Sequence, residues 1–142
     1  MTDAFISYIE NRFFTIMSAE HPEVELMFSN MDLPESDTFS ELRVLASEDT
    51  RPVAVGIEAR SRNVGLVQID IFTPKDIGAG RGRRLAKFAA SMFHRHNRQI
   101  ADEGYATFRD AAIVDKGEAR GRNKHQVRIP YRYDFRQDFL AA

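Results

Sequence analysis

The residues that first suggest chemistry are the glycines and arginines of Ile77-Gly78-Ala79-Gly80-Arg81-Gly82-Arg83-Arg84. They separate a segment of period two from one of period 3.6, so they read as a strand-to-helix turn. Backbone amides at a helix N-terminus attract anions, and Arg81, Arg83 and Arg84 add charge, so a phosphate is the ligand such a turn could cradle. The spacing is GxGxG rather than GxGxxG, no βαβ unit follows, and no GK[ST] is present, so neither nucleotide motif is met. A flexible glycine hinge before a helix is the plainer reading. His94 and His96 are two apart and on a helix would point about 200° from each other, so they cannot share a metal. His21 and His125 are isolated. Asp70 lies in a predicted strand with no evident carboxylate partner, and no serine nucleophile elbow occurs. The expectation is a protein without catalytic, cofactor-binding or metal-ligating residues, and not an enzyme.

The elements that would carry these residues follow from periodicity. Phe5, Ile6, Ile9, Phe13, Ile16 and Met17 predict an N-terminal helix over Asp3 to Met17, capped by Thr2 or Asp3 and ended before His21-Pro22. Residues 23 to 38 read as a connection with a short extended piece near Val24 to Phe28. Alternation predicts strands over Phe39 to Ala46, Val53 to Ala59 and Arg62 to Thr73, arranged as a meander. Leu85, Phe88, Ala89, Met92, Phe93, His96 and Ile100 predict one long amphipathic helix, with Arg84, Lys87, Ser91, Arg95 and Arg98 opposite. Tyr105 to Val114 predicts a strand, and Asp115 to Asn123 a polar loop. Lys124 to Phe135 is the closing strand, with Val127, Ile129, Tyr131, Tyr133 and Phe135 on one face. Arg128, Pro130, Arg132, Asp134 and Arg136 take the other face, and Pro130 predicts an edge strand. The fold class is α+β: a mixed, mostly antiparallel sheet of about five strands carrying both helices.

Composition sets the outer bounds. The 142 residues fit a single domain, 1–142, and 43% are hydrophobic, as in an ordinary globular chain. There is no cysteine, which removes disulfides, thiolate nucleophiles and cysteine zinc sites together. No run of 18 apolar residues predicts a membrane span, and the Met-Thr-Asp-Ala-Phe start lacks the basic region of a secretory signal. Charge divides along the chain. Residues 1 to 50 hold 11 acids and 2 bases, and residues 51 to 142 hold 10 acids and 18 bases. Three readings fit this split: two solvated faces, an acidic surface meeting a basic one on a neighbouring copy, or a nucleic-acid groove. The bases form no compact cluster, which makes the third the weakest.

Two resemblances follow from these residues. The Arg-Gly-rich turn from Gly78 to Gly82 is similar, over about a dozen residues, to the acetyl-coenzyme A turn of GNAT acetyltransferases, although strands rather than a later helix follow it. A broader resemblance runs from Asp3 to Phe139. An N-terminal helix precedes Asn-x-x-Leu-Pro at Asn30 to Pro34 and a strand opened by Phe39. VGLVQIDIFTP at Val64 to Pro74 then leads through the glycine turn to an alanine-bearing helix, and the chain closes on VRIPYRYDF. This order resembles the phage tail terminator-like family and, more distantly, lambda-type tail terminators.

The resemblance implies a structural virion protein, made in the host cytoplasm, that forms a hexameric ring capping the tail tube. Its partners would be further copies of itself, the tail tube protein and a head-to-tail connector, with viral DNA passing as cargo. Another neck or head-completion component is the near alternative, and a GNAT-like acetyltransferase the distant one. Subunit or tube contacts are expected of Arg83, Arg84, Arg95 and Arg98, of Glu118, Arg120, Arg122 and Lys124 in the predicted loop, and of Arg128, Arg132 and Arg136. The loop from Glu48 to Pro52 is a second candidate.

Overall fold

A computed structural model describes residues 3–28, 36–46, 51–54 and 60–136. Helix α1, Asp3–Glu20, repeats Phe5, Ile9, Phe13 and Met17 at intervals of four, and all four are fully buried. The strands are β1 (Glu25–Phe28), β2 (Phe39–Ala46), β3 (Arg51–Ala54), β4 (Arg60–Pro74), β5 (Asn97–Ile100), β6 (Gly104–Phe108), β7 (Ala112–Ala119) and β8 (Arg122–Arg136). Helix α2 is Gly80–Phe93. The class is α+β as expected, but the sheet has eight strand segments rather than about five.

Two long antiparallel strands, β4 and β8, pair in register from Arg60↔Arg136 to Pro74↔Arg122 and form the centre of the sheet. Each is flanked by an interrupted strand. β2 and β3 both run antiparallel to β4 along one edge, so the expected meander is instead a single broken strand paired with β4. Of the strand expected over Val53 to Ala59, only Val53 and Ala54 lie among the described residues. β6 and β7 occupy the far edge of β8 in the same way. β1 adds in parallel to β2, and β5 adds antiparallel to β6.

The closing strand is therefore central, not an edge, and Pro130 shows how. Its carbonyl accepts from the Arg109 N–H at 2.8 Å, so its nitrogen faces the same side, where residues 109–111 leave the ladder between β6 and β7. The missing N–H falls where no strand partner is present to receive it. The expected polar loop over Asp115 to Asn123 is also mostly strand. β7 pairs with β8 through Ala119↔Arg122, leaving only Arg120 and Gly121 as the turn. Both have positive φ, 54° and 74°, as a type I′ hairpin requires.

The expected long helix stops at Phe93. Arg95 adopts φ 51°, and its N–H donates to the Arg109 carbonyl, while Phe108 N–H donates to His96. Pairing with β6 converts residues 97–100 into β5, so Ile100 fits the helical spacing but serves a strand. His96, Arg95 and Arg98 thus lie beyond the helix.

Both helices cover one face of the sheet. That face presents Leu42, Val67, Ile69, Ile71, Val127, Ile129, Tyr131, Tyr133 and Phe135, all buried. The Phe5 ring stacks on Tyr133 at 4.3 Å and meets Tyr131 edge-on at 4.9 Å. Arg12 Nε donates to the Met92 carbonyl at 2.7 Å and fixes α1 against α2. Among the described residues no helix packs on the other face, although Phe39, Glu41, Asp70, Phe72 and Gln126 on it are buried.

Candidate assembly surface

Strand alternation decides what the uncovered face presents. On β8 it receives Lys124, Gln126, Arg128, Pro130, Arg132 and Asp134. On β4 it receives Arg62, Val64, Leu66, Gln68, Asp70 and Phe72, and on β2 Phe39, Glu41, Arg43 and Leu45. Register then joins these residues into three zones.

At one end Phe39 and Phe72 stack at 4.4 Å, with Met27 packed beside them. Cations roof the pair: Arg122 lies 5.0 Å from the Phe39 ring centre, and Arg120 and Lys124 lie 5.7 and 5.6 Å from that of Phe72. Cation–π attraction and the long aliphatic stems together keep two large rings out of water.

The middle zone is polar. Glu41 and Asp70 are direct cross-strand partners, and both are buried. Arg43 Nη2 lies 2.8 Å from Glu41, with Arg120 at 3.8 Å. Asp70 accepts from Gln126 Nε2 at 3.0 Å and has Lys124 at 3.8 Å. Asp70 therefore does have a carboxylate opposite it, a pairing that strand register alone creates. Without these donors the two acids would repel across a short gap; with them Glu41 holds Arg43 and Arg120, and Asp70 holds Gln126 and Lys124.

The third zone is apolar. Leu45, Val64, Leu66 and Pro130, with Arg109 and Arg132 among its lining, form an open groove of about 550 Å³. Leu45, next to the end of β2, and Val64, paired with Arg132, are 46% and 48% exposed and leave apolar surface open on this face. Beside the groove Arg62 grips Asp134 with two hydrogen bonds of 2.7 and 3.1 Å, which raises the guanidinium further above its ordinary pKa.

The expected contact residues thus divide. Arg120, Arg122, Lys124, Arg128, Arg132 and Arg136 gather on the uncovered sheet face. Arg83 and Arg84 are exposed on α2, on the opposite side. Arg95 pairs with Asp110, whose carboxyl is held below its usual range by that hydrogen bond, and Arg98 is exposed on β5. Glu118 bridges to Lys75 at 3.1 Å and ties the β7–β8 hairpin to the 3-10 turn Lys75–Ile77. In the Glu48 to Pro52 candidate, residues 48–50 lie outside the described residues. Arg43, Arg62, Glu41 and the apolar groove were missed in sequence. Their alternation was visible, but which strands lie side by side was not.

Among the described residues no three metal-binding side chains cluster, and no helix is long and apolar enough to cross a membrane. No family model and no curated protein matches the chain. One solved structure is similar in fold. It shares 17% identity with a TM-score of 0.67, over 94% of each chain.

Proposed function

We propose that the chain is a structural subunit of a phage tail: a terminator that assembles into a hexameric ring on the tail tube and joins it to the head side. The uncovered sheet face carries this reading. A sheet that buries one side under two helices and leaves cations and an apolar groove on the other is shaped to meet another protein surface. The acids of the first fifty residues offer such a surface on a neighbouring copy: Asp3, Glu20, Glu23, Glu25 and Asp37 are exposed along α1, β1 and the approach to β2. Head-to-tail contacts between unlike surfaces close into rings when the rotation allows. The order of sequence features, from the N-terminal helix to VRIPYRYDF, supports the same assignment.

Electron microscopy of tails assembled with and without the protein tests it. Overlong tails in its absence are the expected result. Tails of normal length that lack heads would transfer the assignment to a neck component, and unaltered particles would remove both.

A further inference from the structure

We propose that the first turn of α2 binds a phosphate group. The turn breaks the usual rules for a helix start. Ala79 occupies the N-cap and supplies no side-chain acceptor, and no acid is present in the first turn. The N–H of Arg83 reaches the Ala79 carbonyl at 3.0 Å, so the amides of Gly80, Arg81 and Gly82 are left without intrahelical acceptors. Arg83 and Arg84 add positive charge where the helix dipole is already positive, as does Arg81, whose Nη2 lies 3.8 Å from the Glu23 carboxylate. Arg84 turns back across this end: a Cβ built on Gly80 would stand 3.3 Å from its Nη1. Each feature costs stability by itself, and a bound oxyanion would answer all of them.

A second observation comes from beneath the turn. His125 and Thr73 are 2% and 0% exposed, yet neither ring nitrogen of His125 nor the Thr73 hydroxyl has a hydrogen-bond partner. His125 Nε2 has Asp115 at 3.9 Å, beyond hydrogen-bond reach. The Nδ1–Cε1 edge of the ring faces Gly82, where a Cβ would fall 2.5 Å from Nδ1 and 3.2 Å from Thr73 Oγ1. Glycine at 82 therefore lets the first turn of α2 pack directly against two buried, unpartnered polar groups. Unsatisfied buried donors are rare, and three polar atoms beside three orphan amides form a built site. A phosphate group matches it because its several oxygens can take backbone N–H, guanidinium and imidazole donors together. This site lies on the helix side, apart from the sheet face assigned to assembly.

Titration of isotope-labelled protein with inorganic phosphate, at constant ionic strength balanced by chloride, tests the proposal by NMR. Saturable shifts at the Gly80, Arg81 and Gly82 amides and at the His125 ring are expected. A nucleoside monophosphate in place of phosphate separates the sources: tighter binding identifies a phosphate ester, and equal or weaker binding identifies the free ion. Arg84→Gln should weaken affinity about tenfold, as loss of one charged hydrogen bond would. Gly80→Asp places a carboxylate one turn before Arg84 and should raise Tm without phosphate while abolishing the response to it. Shifts that do not saturate, that spread equally over Arg128 and Arg132, or that persist in Gly80→Asp would overturn the site.

Discussion

His96 shows how one side chain can couple the helices to pH. Its Nε2 meets the Tyr8 hydroxyl, and burial, with Arg12 and Arg98 nearby, holds its pKa below 6.5. The folded state thus favours the neutral ring, which can accept the tyrosine proton. The unfolded chain binds a proton more readily, so this contribution is complete above pH 6.5 and is lost as pH falls through the folded pKa. Urea midpoints measured from about pH 7 to about pH 5 should fall in the native protein and fall less in His96→Gln, which keeps an acceptor. Gly65 sets a steric limit. A Cβ there would lie 2.2 Å from the Leu45 carbonyl and 2.4 Å from the Tyr131 hydroxyl. Gly65→Ala should cost about 2–3 kcal/mol in denaturant titration. Tyr131 itself has its pKa pushed up to about 12 by burial, so in a spectrophotometric titration its phenol should ionise well above the ordinary value of 10.0.

At the level of elements the β7–β8 hairpin rests on its turn. Gly121→Ala forces a side chain into φ 74° and should cost about 1 kcal/mol, read from urea midpoints and from faster amide exchange across Ala119 and Arg122. Alternation made the buried face of β8 legible in sequence: Val127, Ile129, Tyr131, Tyr133 and Phe135 are all in the core. The spacing of Phe5, Ile9, Phe13 and Met17 did the same for α1. Position within the sheet was not legible. Pro130 argued for an edge because a proline removes one donor, and sequence does not reveal that the neighbouring strand is broken opposite it. Asp115 to Ala119 looked like loop because β7 lies almost wholly exposed, so no hydrophobic alternation marks it. The candidate contacts suffered for the same reason: their charge was visible, but their division between two faces arose from long-range pairing.

For the whole molecule the assembly hypothesis reduces to which face is used. Arg128→Glu with Arg132→Glu should leave a folded subunit and prevent ring formation, measured by sedimentation. Assembly of the native chain should weaken with salt as exposed charges are screened. Failure of assembly on reversal of Arg83 and Arg84, with the sheet-face variant intact, would move the interface to the helices. The fold itself is shared with a chain only 17% identical, so architecture alone does not select among functions.

The central place of β8 also bears on how the protein is made. Synthesis runs from the N-terminus, so α1 leaves the ribosome well before Tyr131 and Tyr133, on which Phe5 rests. Until then β4 lacks its main partner and the α1 aromatics lack a surface to bury against. The nascent chain must wait for β8 before Phe5 can bury its ring and the sheet face under α2 is complete, and such late, distant pairing folds slowly. Chains stalled before residue 122 should therefore leave α1 protease-sensitive, and release of β8 should protect α1 and β8 in a single step.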